Sequence, residues 1–160
     1  MDTAIKAIVS LLACFAAAGV GSLVTYKAIP TWYAGLSKPR GTPPNWAFAP
    51  VWSTLYVFMA ISVFLVWRKG LASPGVPLAL ALFWTQLAFN ALWSLVFFGT
   101  RSKGGGVLVI AVLWLLILAS IITSFRVSAW AGALLIPYLA WVSIATYLNV
   151  GVWWLNRRRH

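Results

Sequence analysis

The chain has 160 residues, 62% of them apolar, a mean hydropathy of +0.92, and a single acidic side chain, Asp2, against twelve Lys and Arg, for a net charge of +11. A water-soluble globule of this size must cover itself with polar groups, so the balance excludes one and makes the bilayer the solvent. In a soluble protein the charge would suggest nucleic acid; here every basic residue lies outside or at the edge of an apolar run, so no nucleic-acid partner is expected and the charges read as topology determinants.

A spanning helix takes about 20 residues to cross about 30 Å of hydrocarbon. Five stretches qualify, at about 7–26, 51–67, 76–98, 107–125 and 130–154, and they predict an all-α bundle of five transmembrane helices in one integral membrane domain, 1–160. A structured lid loop, 27–50, joins the first two helices. Lys27, Lys38, Arg40, Arg101, Lys103 and Arg157 to Arg159 fall on one side of the membrane, and Lys6, Arg68, Lys69 and Arg126 on the other. Eight against four predicts a multi-pass protein with the C-terminus and first loop in the cytoplasm. Beyond topology, these residues suit anionic lipid headgroups.

The first apolar run follows Lys6 and contains Ala16-Ala17-Ala18, a pattern that imitates a signal peptide, but it stays apolar through Gly21 and Val24 and reads as a span. Ala13, Ala17 and Gly21, beside Ala18 and Ser22, form a small-residue face that lets helices approach closely, within the bundle or between subunits. Cys14 is the only cysteine, which excludes an intrachain disulfide and a thiolate metal cluster.

The following stretch, Trp32 to Tyr56, is dense in proline, tryptophan and basic residues. Pro43 and Pro44 make its middle stiff and extended. Pro50 suits a first helical turn, and Trp52 and Tyr56 then share one helical face. Gly70 to Pro77 reads as a tight loop.

On the third helix Gln86, Asn90, Trp93 and Phe97 recur at steps of four, three and four, a stripe of amides and rings that faces protein or a cavity. An unsatisfied amide in hydrocarbon costs several kcal/mol, so both amides need partners, either as glue between helices or as ligand contacts. Gly104-Gly105-Gly106 lacks the lysine and hydroxyl of a phosphate loop and reads as a flexible connector. The fourth helix is nearly uniform and is expected to have the largest lipid exposure. On the fifth, Tyr138, Trp141, Ala145 and Asn149 form a second stripe, and Pro137 predicts a kink.

The chain has no Glu, its one Asp is residue 2 and its one His is residue 160. Acid–base pairs, carboxylate proton relays and His-based metal centres have no candidates inside the membrane, so no enzyme and no cofactor are expected. An aromatic pocket with a few amides remains, suited to a flat apolar ligand that stacks on rings.

Four ordered motifs carry a resemblance: WYxxLxKP at Trp32 to Pro39, PPxWxFxPVWxxLY at Pro43 to Tyr56, QLAFNxxW at Gln86 to Trp93, and PYLxWxxxATxLN at Pro137 to Asn149. Over nearly its whole length the chain resembles the tryptophan-rich sensory protein family, also called the translocator protein or peripheral-type benzodiazepine receptor family. The resemblance implies a five-helix bundle, often a homodimer, whose pocket the first loop closes. It also implies porphyrin or haem-like tetrapyrrole ligands, and sterols or benzodiazepine-type drugs in some members. By motif, Trp52, Tyr56, Asn90, Trp93, Trp141, Ala145 and Leu148 would line the pocket, and Trp32, Trp46 and Phe48 would form the lid. Gln86, Phe97 and Tyr138 join them from the stripes. Lys38 and Arg40 are candidates for porphyrin propionates. Gly41 stands where the family commonly has a tryptophan, and the sterol-contact pattern of some members is absent from the C-terminal stretch. The leading expectation is a non-enzymatic tetrapyrrole receptor or carrier; light- or oxygen-dependent porphyrin breakdown and a regulatory scaffold are the alternatives.

Overall fold

A computed structural model describes residues 1–158. Its helices are α1 (Thr3–Ala28), α2 (Asn45–Trp67), α3 (Val76–Ser94), α4 (Lys103–Val127) and α5 (Ala129–Asn156), and among the described residues there is no strand. All five, α3 taken with the turn that follows it to Gly99, are long and apolar enough to cross a membrane. The all-α, five-span fold therefore stands. The helices close a ring in the order α1, α2, α5, α4, α3 and back to α1. Arg159, counted among the basic residues on the loop side, and His160 lie outside the described residues; Arg157 sets its guanidinium 5.0 Å from the Trp154 ring, the aromatic-plus-cation pairing of a membrane interface.

Several boundaries differ from the sequence expectation. α2 starts at Asn45, not after Pro50, because Pro44 holds the extended conformation of an N-cap (ψ 149°) and the helix begins on the next residue. Pro50 is thus inside α2, and Trp46 and Phe48 belong to its first turns instead of the loop. α4 starts at Lys103, so the three glycines are its first turn and not a flexible connector. Ser102 caps that turn by accepting from the Gly105 N–H at 3.1 Å. Gly106 is there for close approach: a Cβ would meet Phe97 Cδ2 at 2.7 Å and Asn149 Oδ1 at 2.9 Å.

After Ser94, α3 continues as one wide π turn, Leu95–Gly99. The Thr100 N–H bonds the Leu95 carbonyl at 2.9 Å, and the turn carries Phe97 and Phe98, whose rings meet edge to face at 4.8 Å. α1, not α4, has the smallest buried share of the five spans. Its buried face is Ser10, Cys14, Ala17 and Gly21, packed on α2 and α3, so part of the small-residue stripe is used inside the bundle. α5 runs unbroken through Pro137.

Candidate functional site

Helices α1, α2, α3 and α5 enclose a cavity of about 550 Å³ beneath the α1–α2 loop; α4 contributes no lining residue. α2 brings Phe48, Trp52 and Tyr56, α3 and its π turn bring Asn90, Trp93, Phe97 and Phe98, and α5 brings Ala145, Leu148, Asn149 and Val152. The rings form one continuous wall. Trp52 lies 5.8 Å from Tyr56 and 6.4 Å from Trp93, and Trp93 stacks on Phe97 at 5.8 Å with planes 10° apart. Offset-stacked and tilted contacts at these distances are favourable ones for aromatic quadrupoles.

Polar groups beside this wall are paired. The Tyr56 hydroxyl donates to Asn90 Oδ1 (2.7 Å), Asn90 Nδ2 donates to the Tyr138 hydroxyl (2.7 Å), and that hydroxyl donates to Gln86 Oε1 (2.7 Å). The Trp93 indole N–H donates to Asn149 Oδ1 at 2.8 Å, and Asn149 Nδ2 donates to the Lys103 carbonyl at 3.1 Å. The amides are thus glue between α2, α3, α4 and α5, and Asn90 and Asn149 are lining residues as well.

Five of the expected site residues do not line the cavity, each for a geometric reason. Gln86 and Tyr138 are buried deeper, as the inner end of the polar chain. Trp46 is 77% exposed, because α2 begins at Asn45 and the cavity-facing positions become Asn45, Phe48, Ala49, Trp52 and Tyr56. Trp32 sits above the wall, edge-on to Phe97 at 5.4 Å and Phe98 at 6.4 Å. Trp141 faces a separate outer groove with Pro50, Phe58 and Pro137 between α2 and α5. The buried face of α5 runs Tyr138, Val142, Ala145, Asn149, Val152, Asn156, at steps of four, three, four, three and four, and Trp141 is one position, about 100°, off it. Its ring meets that of Phe48, a lining residue, edge-on at 5.8 Å.

The contribution of α1 is what sequence reasoning missed. Phe15, Ala18, Gly21, Ser22, Thr25 and Tyr26 line the cavity, and the signal was the run of small residues, which leaves room that a ligand can use as well as a helix.

The loop is held down at several points. Asn156 and Ser37 bond reciprocally, Tyr147 donates to the Arg40 carbonyl at 2.9 Å, and Pro39 packs where a Cβ on Gly151 would sit. Lys38 is committed to this structure, with its ammonium 4.6 Å from the centre of the Tyr33 ring and donating to the Leu36 carbonyl at 3.2 Å. Tyr33 is buried at the cavity edge, and desolvation raises its phenol above the ordinary 10.0. Loop and α5 C-terminus lie at the same end of the bundle. Among the described residues no His, Cys, Asp and Glu cluster could hold a metal.

Five apolar helices, four of them lining an aromatic cavity beneath a pinned loop, define a multi-pass integral membrane protein with an internal site of ligand size. The chain belongs to the TspO/MBR family, whose model matches residues 10–155. It is 38% identical to the tryptophan-rich protein TspO of Archaeoglobus fulgidus, over 95% of this chain and 97% of that one. It is also 38% identical to the tryptophan-rich sensory protein of Cereibacter sphaeroides (93% and 90% covered) and to the human translocator protein (92% and 89% covered). The names of the latter two describe a sensory protein and a translocator protein.

Proposed function

We propose that the protein is a non-enzymatic membrane receptor or carrier that takes a tetrapyrrole, or another flat and largely apolar ligand, into the roofed cavity. The observation that carries this reading is the wall formed by Trp52, Tyr56, Trp93 and Phe97 around about 550 Å³, within the size range of small-molecule sites. Rings at stacking distance favour a planar π-system, and the flanking amides are already bonded, so most of the affinity comes from apolar area and shape. The same reading puts the lid and the α5 C-terminus at the cytoplasmic face, the side that the excess of basic residues favours.

The test is quenching of tryptophan fluorescence by protoporphyrin in the reconstituted protein. Saturable quenching is expected, with affinity at least tenfold weaker in Trp52→Ala, equivalent to about 1.4 kcal/mol. Absence of saturable quenching, or unchanged affinity in that variant, overturns the assignment.

A further inference from the structure

The polar chain beside the cavity has a direction, and the direction is set at its far end. Gln86 Nε2 lies 3.9 Å from the sulfur of Met59, which is completely buried. A thioether accepts a hydrogen bond and cannot donate one. Carboxamide oxygen and nitrogen are told apart by their partners, and here only the nitrogen of Gln86 can face Met59 usefully. Its oxygen must then face Tyr138 and accept that hydroxyl's proton (2.7 Å). Tyr138, having given its proton away, accepts from Asn90 Nδ2, which turns Asn90 Oδ1 toward Tyr56 as acceptor.

The reverse order would have Tyr56 receive a bond from Asn90 and point its own proton elsewhere, but it would set Gln86 oxygen against sulfur, two acceptors with no hydrogen between them. Asn90 keeps a second amide hydrogen in either order, so that hydrogen does not discriminate. Successive bonds in such a chain polarise one another in a low dielectric, so the sense chosen at Met59 reaches the cavity.

We infer that Met59 fixes Tyr56 as a hydrogen-bond acceptor at the cavity wall, and that the site selects, among flat apolar molecules, those carrying an N–H or O–H donor. Tyr56 and Asn90 line the cavity, while Tyr138, Gln86 and Met59 do not. The selecting group and the group that sets its polarity are therefore separate residues. The inference rests on the proposed binding role of the cavity and sharpens it: the preferred ligand class is a planar heteroaromatic with a free ring N–H, not merely any planar hydrocarbon.

Carbazole and fluorene share one flat skeleton, with N–H in the first where the second has CH₂. Equilibrium binding of each to the full chain in nanodiscs, measured as excess over protein-free nanodiscs, reads the preference directly. Carbazole is expected to bind about fivefold tighter than fluorene, the scale of one neutral hydrogen bond. Tyr56→Phe combined with Asn90→Leu, which removes the carboxamide oxygen that the first change alone would free at the cavity wall, should bring the ratio close to one. Met59→Leu conserves volume and lies outside the cavity lining; it should lower the ratio while leaving fluorene affinity within twofold. Equal binding of the two probes, or a wild-type ratio that neither variant changes, overturns the inference and leaves the cavity as a binding site. Failure of both probes to exceed protein-free nanodiscs overturns the cavity's role for flat ligands, and this inference falls with it.

Discussion

Asn156 and Ser37, 119 residues apart, hold each other through two opposed hydrogen bonds: the Ser37 N–H donates to Asn156 Oδ1 at 3.0 Å, and Asn156 Nδ2 donates to the Ser37 carbonyl at 2.8 Å. A carboxamide presents one donor and one acceptor side by side, which matches the N–H and C=O of a single extended residue. The end of α5 therefore replaces the neighbouring strand that this loop segment lacks, and the loop is docked by its backbone.

Asn156→Ala leaves both Ser37 groups without these partners, a loss on the order of 1–3 kcal/mol where the groups stay buried. The variant should open the loop more often, with trypsin cleavage after Arg40 accelerated on the order of tenfold. Asn156→Asp keeps the acceptor and loses the donor, so its rate should lie between. Equal cleavage rates in all three proteins would remove Asn156 as the clasp.

Gly151 supplies the second clasp by having no side chain. A Cβ there would lie 2.6 Å from Pro39 Cγ and 2.8 Å from Pro39 Cβ, and a proline ring cannot swing aside as a flexible chain end can. Gly151→Ala should displace the loop and raise cleavage after Arg40. Gly35→Ala is the control, since nothing lies within 4 Å of the added carbon. Comparable cleavage in the two variants would show that the Pro39 contact does not hold the loop.

The five spans, their order and most of the aromatic wall were legible in the sequence, because hydropathy reports burial in lipid directly and the spacing of Trp52 with Tyr56, and of Asn90 with Trp93, survives in any straight helix. What was not legible depends on phase and on neighbours. Where α2 starts decides whether Trp46 faces inward, and Pro44, not Pro50, sets that start. Trp141 fits a stripe at steps of three and four as well as Val142 does, and only packing against α2 chooses between them. The role of α1 was hidden because small residues look alike whether they adjoin a helix or a cavity.

Tyr33 gives the loop a pH limit. Burial raises its phenol above 10.0, so the docked loop holds that proton more tightly than the undocked one does. Linkage then fixes the sign: docking is fully supported below about pH 10 and loses support as pH rises through the raised value. A fluorophore on Ala34→Cys, an exposed loop position, should report stable docking at neutral pH and loosening at strongly alkaline pH. The native thiol, Cys14, is buried and does not compete for the label. Tyr33→Phe retains Lys38 in its place and should lose this transition; an identical alkaline profile in that variant would assign the loosening to another group.

Trp93 and Trp141 provide a paired test of which tryptophans serve the cavity. The indole N–H of Trp93 donates to Asn149 at 2.8 Å, and its ring stacks on Phe97 within the lining. The indole N–H of Trp141 is buried without an acceptor, and its ring faces the outer groove. Replacing each by phenylalanine removes similar ring area, but only Trp93→Phe breaks a bond and strands Asn149 Oδ1. An unpaired buried N–H already costs the folded state free energy, and Trp141→Phe removes it. Trp93→Phe should therefore be less stable than Trp141→Phe by about 1 kcal/mol, read as a lower thermal midpoint in the same detergent. Porphyrin affinity should follow the same order, falling in Trp93→Phe and staying within twofold of the parent in Trp141→Phe, since the smaller ring would still meet Phe48 edge-on without entering the cavity. If Trp141→Phe proved the more damaging to binding, the bound ligand would have to reach the outer groove, and the cavity and the groove would be one site instead of two.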